Sequence, residues 1–203
     1  MNYNQLPTKE VIDKTIAALA NSGFKVFFAE NGEAAKQTAL SMIPAGAKIM
    51  NMTSATLETI GLVKEIMESE NFQPVRKQLQ DMDIKTQKTE MKKLRSVPDW
   101  AIGSVHAITQ DGQLMVASAT GSQMPAYVYG AEKVLLIAGA QKIVDDLNTG
   151  FDRIYQYCLP LESERAKKAY GDAGSSVNKI LILNQEEVKE RTTVIIVNKI
   201  LGF

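Results

Sequence analysis

Three short stretches of this chain gather residue types that could hold an anion. Thr53-Ser54-Ala55-Thr56-Leu57-Glu58 sets three hydroxyls within four residues, Ala119-Thr120-Gly121-Ser122-Gln123-Met124-Pro125 adds two hydroxyls and an amide around a glycine, and Gly139-Ala140-Gln141-Lys142 adds a cation. Hydroxyls, backbone N–H groups and an ammonium are the donors that receive a carboxylate or phosphate. A helix start uses one N-cap hydroxyl, so the other hydroxyls of the first stretch are surplus to capping. In the second stretch ordinary capping accounts for part of the pattern, because Thr120 and Gln123 have capping-box spacing and Pro125 suits a first helical turn. The candidate ligand set is therefore Thr53, Ser54, Thr56, Thr120, Gly121, Ser122, Gln123, Gly139 and Lys142.

Groups for proton transfer are few. The single histidine, His106 in SVHAIT, is either a base or a hydrogen-bonded sheet residue; the second role is the commoner one, because no motif marks a partner for it. Glu58 and Asp111 are the carboxylates expected near strand ends, and with their separation unknown they support no acid–base pair. Cys158 belongs to a helical apolar stripe and reads as a buried, inert thiol. Lys85, Lys88, Lys92, Lys93 and Arg95 read as a solvated helix face, or else as a docking patch.

Several classes are excluded. One cysteine and one histidine leave no zinc site of cysteine or paired-histidine type, and no metal or cofactor is expected. GSQMPAYVYG lacks the glycine spacing of a dinucleotide loop, and no GK[ST] is present for a P-loop. With 23 basic and 23 acidic residues the net charge is zero, so nucleic acid is not an expected partner. The first residues, MNYNQLPTKEVIDK, have neither the basic stretch nor the apolar core of a secretory signal, and no apolar run is long enough to span a bilayer; a cytoplasmic protein without membrane insertion is expected.

The elements that must position these residues alternate. At 203 residues, 45% of them apolar and 23% charged, the chain suits one ordinary domain, 1–203. A helix is expected over 8–22, a strand at FKVFFA with a helix after Asn31-Gly32, and a strand at KIMNM with a helix over TSATLETIGLVKEIM. A polar, helix-prone excursion over 62–95, interrupted at Pro74, is expected to pack on the domain. Trp100–Ile108 and Leu114–Ser118 read as an antiparallel pair about Asp111-Gly112, Gly121–Gly130 as a short helix, KVLLIA as a buried strand, and Ile143 through Cys158 as one stripe of a long helix. After GDAGSS, residues 171–176, the runs KILIL and TTVIIV read as a terminal strand pair. The class implied is α/β, with a mostly parallel sheet and antiparallel additions, and its ligand site outside the carboxyl ends of the strands.

TSATLETIGL, DWAIGSVHAITQDGQLMVASATGSQMPAYVYGAEKVLLIAGAQKIV, RIYQYCLPLESERAKKAYG and SSVNKILI together resemble the LUD (lactate utilisation) domain family, formerly a domain of unknown function, from about residue 8 onward. The resemblance implies a three-layer α/β fold similar to the sugar-phosphate isomerase and CoA-transferase-like superfold, and a link to oxidative use of L-lactate beside iron–sulfur or other lactate-oxidation proteins. One cysteine cannot hold such a cluster, so the implied role is an accessory or ligand-binding subunit. Operon members of the family often carry a segment similar to AETGTL where this chain has Thr109-Gln110-Asp111-Gly112-Gln113-Leu114. Were that glutamate position to resemble the nucleophile of CoA transferases, Gln110 could not serve, since an amide is not such a nucleophile.

Three readings of function follow. The first is binding of a small anionic metabolite of lactate-type metabolism at the strand ends; the second is an isomerase-like or transferase-like enzyme acting on a phosphorylated or CoA-linked substrate, with proton transfer by His106, Glu58 or Asp111. The third is a non-catalytic interaction subunit. A homo-oligomer is an expectation from base rates alone.

Overall fold

In the computed structural model, which describes residues 3–171 and 174–203, the chain builds an α/β structure around two sheets. Asp172 and Ala173, inside the expected break at 171–176, lie outside the described residues. Helix α1 (Lys9–Asn21) begins where the Thr8 hydroxyl accepts the Val11 N–H, and α2 (Gly32–Met42) begins where Asn31 accepts from Ala34 N–H. Between them runs β1 (Lys25–Ala29), and after α2 comes β2 (Lys48–Asn51).

The helix expected after β2 is two helices, α3 (Ala55–Thr59) and α4 (Leu62–Glu68), because Gly61 turns left-handed at φ 73° between them. The excursion then contributes β3 (Gln73–Pro74), α5 (Val75–Gln80) and α6 (Lys88–Ser96). Pro74 sits on an edge strand, which tolerates its missing N–H.

The apolar run Trp100–Ile108 is not one strand. Its first part is β4 (Trp100–Gly103), in the large sheet, and its last is β5 (Ala107–Thr109), in the small one. Ser104, Val105 and His106 carry the chain across the gap. Next come β6 (Leu114–Ser118), a π-helical turn over Ala126–Gly130, β7 (Lys133–Gly139) and, after a short 3-10 turn, β8 (Ile143–Val144). Ile143 thus belongs to a strand, and the long helix starts only at α7 (Leu147–Asp152), passing through a π-helical segment Arg153–Cys158 into α8 (Leu159–Tyr170). The last strands, β9 (Lys179–Leu183) and β10 (Thr192–Val197), do not pair with each other as expected but enter different sheets.

The large sheet runs β1-β10-β7-β4-β2-β3 and is parallel throughout. The small one runs β8-β5-β6-β9, with β6 antiparallel to both neighbours. Residues 134–139 of β7 and all of β10 are buried, as central parallel strands covered on both faces must be. Alternation along β4 shows the two faces: Trp100 and Ile102 pack with α2, α3 and α4, while Ala101 packs toward α1, α5, α6 and the small sheet. The outer face of the small sheet packs on Leu147, Phe151 and Ile154 of the long helix.

Candidate functional site

A cavity of about 600 Å³ opens between the two sheets, beyond the C-terminal ends of β2 and β4. This is where an open α/β sheet leaves room for a ligand, and the volume lies within the range of small-molecule sites. Its walls come from the chain after β2, the β4–β5 crossing, the loop after β6, α5, α6 and the long helix, with Phe203 at the C-terminal side.

Lys142 is part of the cavity lining. Its side chain is 2% exposed, and Nζ lies 3.0 Å from Thr56 Oγ1, 3.1 Å from Ser104 Oγ and 3.0 Å from the Val105 carbonyl oxygen. As an ammonium it therefore directs all three protons at protein acceptors. Among the described residues no carboxylate pairs with it. Burial, reinforced by the Arg153 charge, lowers its pKa from 10.5 to about 7.

His106 lines the same cavity as a half-buried residue. Its Nδ1 accepts the Ala117 N–H at 3.1 Å, which places the neutral ring's proton on Nε2. Desolvation, with Lys142 and Arg153 nearby, lowers its pKa to about 3, so at neutral pH it is a donor and not a base. Arg153, fully buried in the π-helical segment, donates from Nη1 to the His106 carbonyl and to Cys158 Sγ, and stacks over Tyr157 at 5.2 Å. Cys158 is buried, and burial raises its thiol pKa against the pull of Arg153 and Lys142.

The remaining wall is cationic and partly unpartnered. Arg76 of α5 and Arg95 of α6 line it, while Arg165 is bound to Glu162 at 2.7 Å. The Arg95 Nε and both amide atoms of Asn51, a fully buried residue at the end of β2, are buried without a hydrogen-bond partner among the described residues. Buried donors and acceptors are rarely left open in folded proteins; Gln141 Oε1 and the Arg153 Nε and Nη2, outside the cavity lining, are left open likewise.

The expected ligand residues divide. Thr53, Ser54, Thr56, Thr120, Ser122, Gln123 and Lys142 line the cavity; Gly121 and Gly139 do not. Gly121 holds a left-handed turn at φ 78° with its N–H on Ser118 Oγ, and a side chain at Gly139 would strike the backbone of Lys199 and Leu201. The second loop satisfies itself: Ser118 Oγ donates to Gln123 Oε1 at 3.1 Å, Gln123 Nε2 to the Ala117 carbonyl at 3.4 Å, and Ser122 N–H to Thr120 Oγ1 at 3.3 Å. Ser54 caps α3 at Leu57 N–H. The elements behind the three loops are a five-residue helix, a π-helical turn and a 3-10 turn, so side chains rather than helix termini supply the polar surface.

Glu58 and Asp111 are exposed and outside the cavity, Asp111 at the tip of the β5–β6 hairpin. Gln110 is also remote from the cavity lining, accepting from Lys14 Nζ at 3.3 Å and donating to Asp145 at 2.7 Å, so an acid there would not face a ligand in this cavity. Sequence reading missed Asn51, Arg76, Ser104 and Tyr127 and misplaced Arg95: Lys85, Lys88, Lys92 and Lys93 are exposed, but Arg95 turns inward. The available signals were a polar residue ending the apolar run KIMN and a glycine–serine step inside WAIGSVHAIT.

Comparison with known proteins agrees with this architecture. No curated protein sequence matches the chain. Among solved structures, a DUF162 family protein from Deinococcus radiodurans superposes with a TM-score of 0.58 at 12% identity, covering 96% of this chain and 100% of that one. eIF2B delta from Chaetomium thermophilum is a weaker likeness, with a TM-score of 0.33 at 16% identity over 71% of this chain and 57% of the other. The first match shows a shared fold. The family model for the LUD domain spans residues 12–197, from the first turn of α1 to the end of β10, and so takes in both sheets and nearly every wall of the cavity; the chain belongs to the LUD domain family.

Proposed function

We propose that the cavity binds a small anionic metabolite, and that the protein serves lactate-type metabolism in the cytoplasm as an accessory or ligand-binding subunit, with other lactate-oxidation proteins as its partners. The observation that carries this reading is the polar lining of the cavity, which brings Arg76 and Arg95 to one space with the hydroxyl residues Thr53, Ser54, Thr120 and Ser122. Guanidinium groups suit a carboxylate or phosphate, and the hydroxyls would serve the other polar groups of the same ligand. Lys142 is the weaker anchor, because its protons already have acceptors. At roughly 30 Å³ per water-sized group, 600 Å³ exceeds a three-carbon hydroxy acid several-fold, which favours a larger ligand carrying the acid as one end.

Thermal melts with inorganic phosphate, L-lactate, longer hydroxy acids and sugar phosphates test the reading. Ligand at 100 times its Kd should add about 2.7 kcal/mol, a shift of roughly 5–11 °C for a chain of this length. The shift should vanish in Arg95→Gln. A panel without any shift, or a shift that survives Arg95→Gln together with Arg76→Gln, overturns the assignment.

A further inference from the structure

We propose that Ser104 is a nucleophile and Lys142 its general base, a pair built to cleave a carboxylic ester by acyl transfer to the serine. The proposal needs the cavity above to be a ligand site, but not that the ligand be anionic.

Three observations converge. Ser104 Oγ is 3.1 Å from Lys142 Nζ, within reach for direct proton transfer. The lysine is oriented by a third group on each side, Thr56 Oγ1 and the Val105 carbonyl, both at 3.0 Å, the nucleophile–base–orienter arrangement of activated serines. Ser104 follows Gly103 at the end of β4, is half-buried and lines the cavity, so a substrate can reach it.

A neutral amine is required, and the surroundings supply it. Burial and the Arg153 charge hold Lys142 near 7, while Cys158 pulls weakly the other way and His106 stays uncharged at neutral pH. When Nζ is neutral it keeps two N–H bonds and turns a lone pair to the Ser104 hydroxyl.

The step balances within the protein and water. As Oγ forms a bond to the carbonyl carbon, its proton passes to Nζ and the carbonyl π pair moves onto oxygen. Collapse of the oxyanion breaks the bond to the alcohol oxygen, which takes the proton from Nζ. Water then attacks the acyl-serine, giving its proton to Nζ; collapse frees the acid and returns the proton to Oγ. The net change is ester plus water to acid plus alcohol, with no redox step.

The test is covalent capture with a fluorophosphonate on the full chain, followed by peptide mapping and by the p-nitrophenyl acetate burst. The expected adduct is on Ser104, absent in Ser104→Ala and with the burst kept in Ser104→Cys. For a base near 7, the labelling rate should rise about 90-fold from pH 5 to pH 8, and Lys142→Met should flatten that profile and slow labelling at least 100-fold at pH 8. A serine held only for structure would show neither adduct nor profile. No adduct at Ser104 in the unmodified protein between pH 5 and 9, or the same pH profile in Lys142→Met, overturns the proposal. Anion-induced melting shifts without an adduct would sink the nucleophile alone, while an adduct without such shifts would sink the anion reading alone.

Discussion

Replacing Lys142 by methionine keeps an unbranched chain of similar length in the wall and removes one titrating amine. In the unfolded chain this amine titrates at 10.5 and in the folded protein at about 7, so between these values the unfolded state binds more protons and stability rises with pH. The stability is present in full above 10.5 and is lost as pH falls toward 7. Linkage between those two values gives a destabilisation of about 4 kcal/mol at pH 7 and about 2 kcal/mol at pH 9, a gain of about 2 kcal/mol over the interval. Lys142→Met removes that gain. The loss of a donor to Val105 in the variant is independent of pH and drops out of the difference. Nearby groups do not imitate the effect: His106 is neutral, Arg153 stays charged, and burial holds the Cys158 thiol above its usual value. The assay is urea unfolding of both proteins at half-unit steps from pH 6.5 to 9.5, with melts as a second readout. Unmodified protein should gain roughly 4–8 °C in Tm over Lys142→Met between pH 7 and 9. Parallel curves for the two proteins would refute a buried amine titrating near 7, and with it the base proposed for Ser104.

His106 is predicted to make acid the weak side of the protein: with a folded value of about 3 against 6.5 unfolded, its contribution is lost as pH falls through 6.5 toward 3, and His106→Asn, which keeps an acceptor for the Ala117 N–H, should flatten that loss in denaturant titrations. Gly103→Ala should destabilise by about 1–3 kcal/mol and slow Ser104 labelling, because its Cβ would overlap the Tyr127 hydroxyl and come within 2.9 Å of Cζ. Tyr127→Phe in the same chain should recover part of both losses, and additive costs in that double variant would show that the overlap is not the cause.

Much of the fold was legible because it rests on local physics. Thr8, Asn31 and Ser54 cap helices where a side-chain oxygen three residues ahead of an N–H can do so, and the apolar run of β7 announces a strand buried on both faces. The hydroxyl-rich loops were legible for the same reason, and most of their side chains do meet at one cavity. Chain-local signals failed at WAIGSVHAIT, where nothing in the apolar pattern reports that the strand leaves one sheet at Gly103 and enters the other at Ala107. They failed again at KILIL and TTVIIV, whose partners lie on distant strands, β6 for the first and β1 and β7 for the second.

The amino-acid sequence by itself determined the α/β class, the caps and the supply of hydroxyl, amide and cationic groups, since composition and periodicity act over a few residues. Only the tertiary structure decided that Lys142 meets Thr56, 86 positions away, and Ser104, 38 positions away, that Arg95 turns inward from a basic helix, and that Gln110 lies outside the cavity. The reason is desolvation: an amine acquires a low pKa, and a buried amide an open valence, only when segments far apart in the chain pack around them and shut out water.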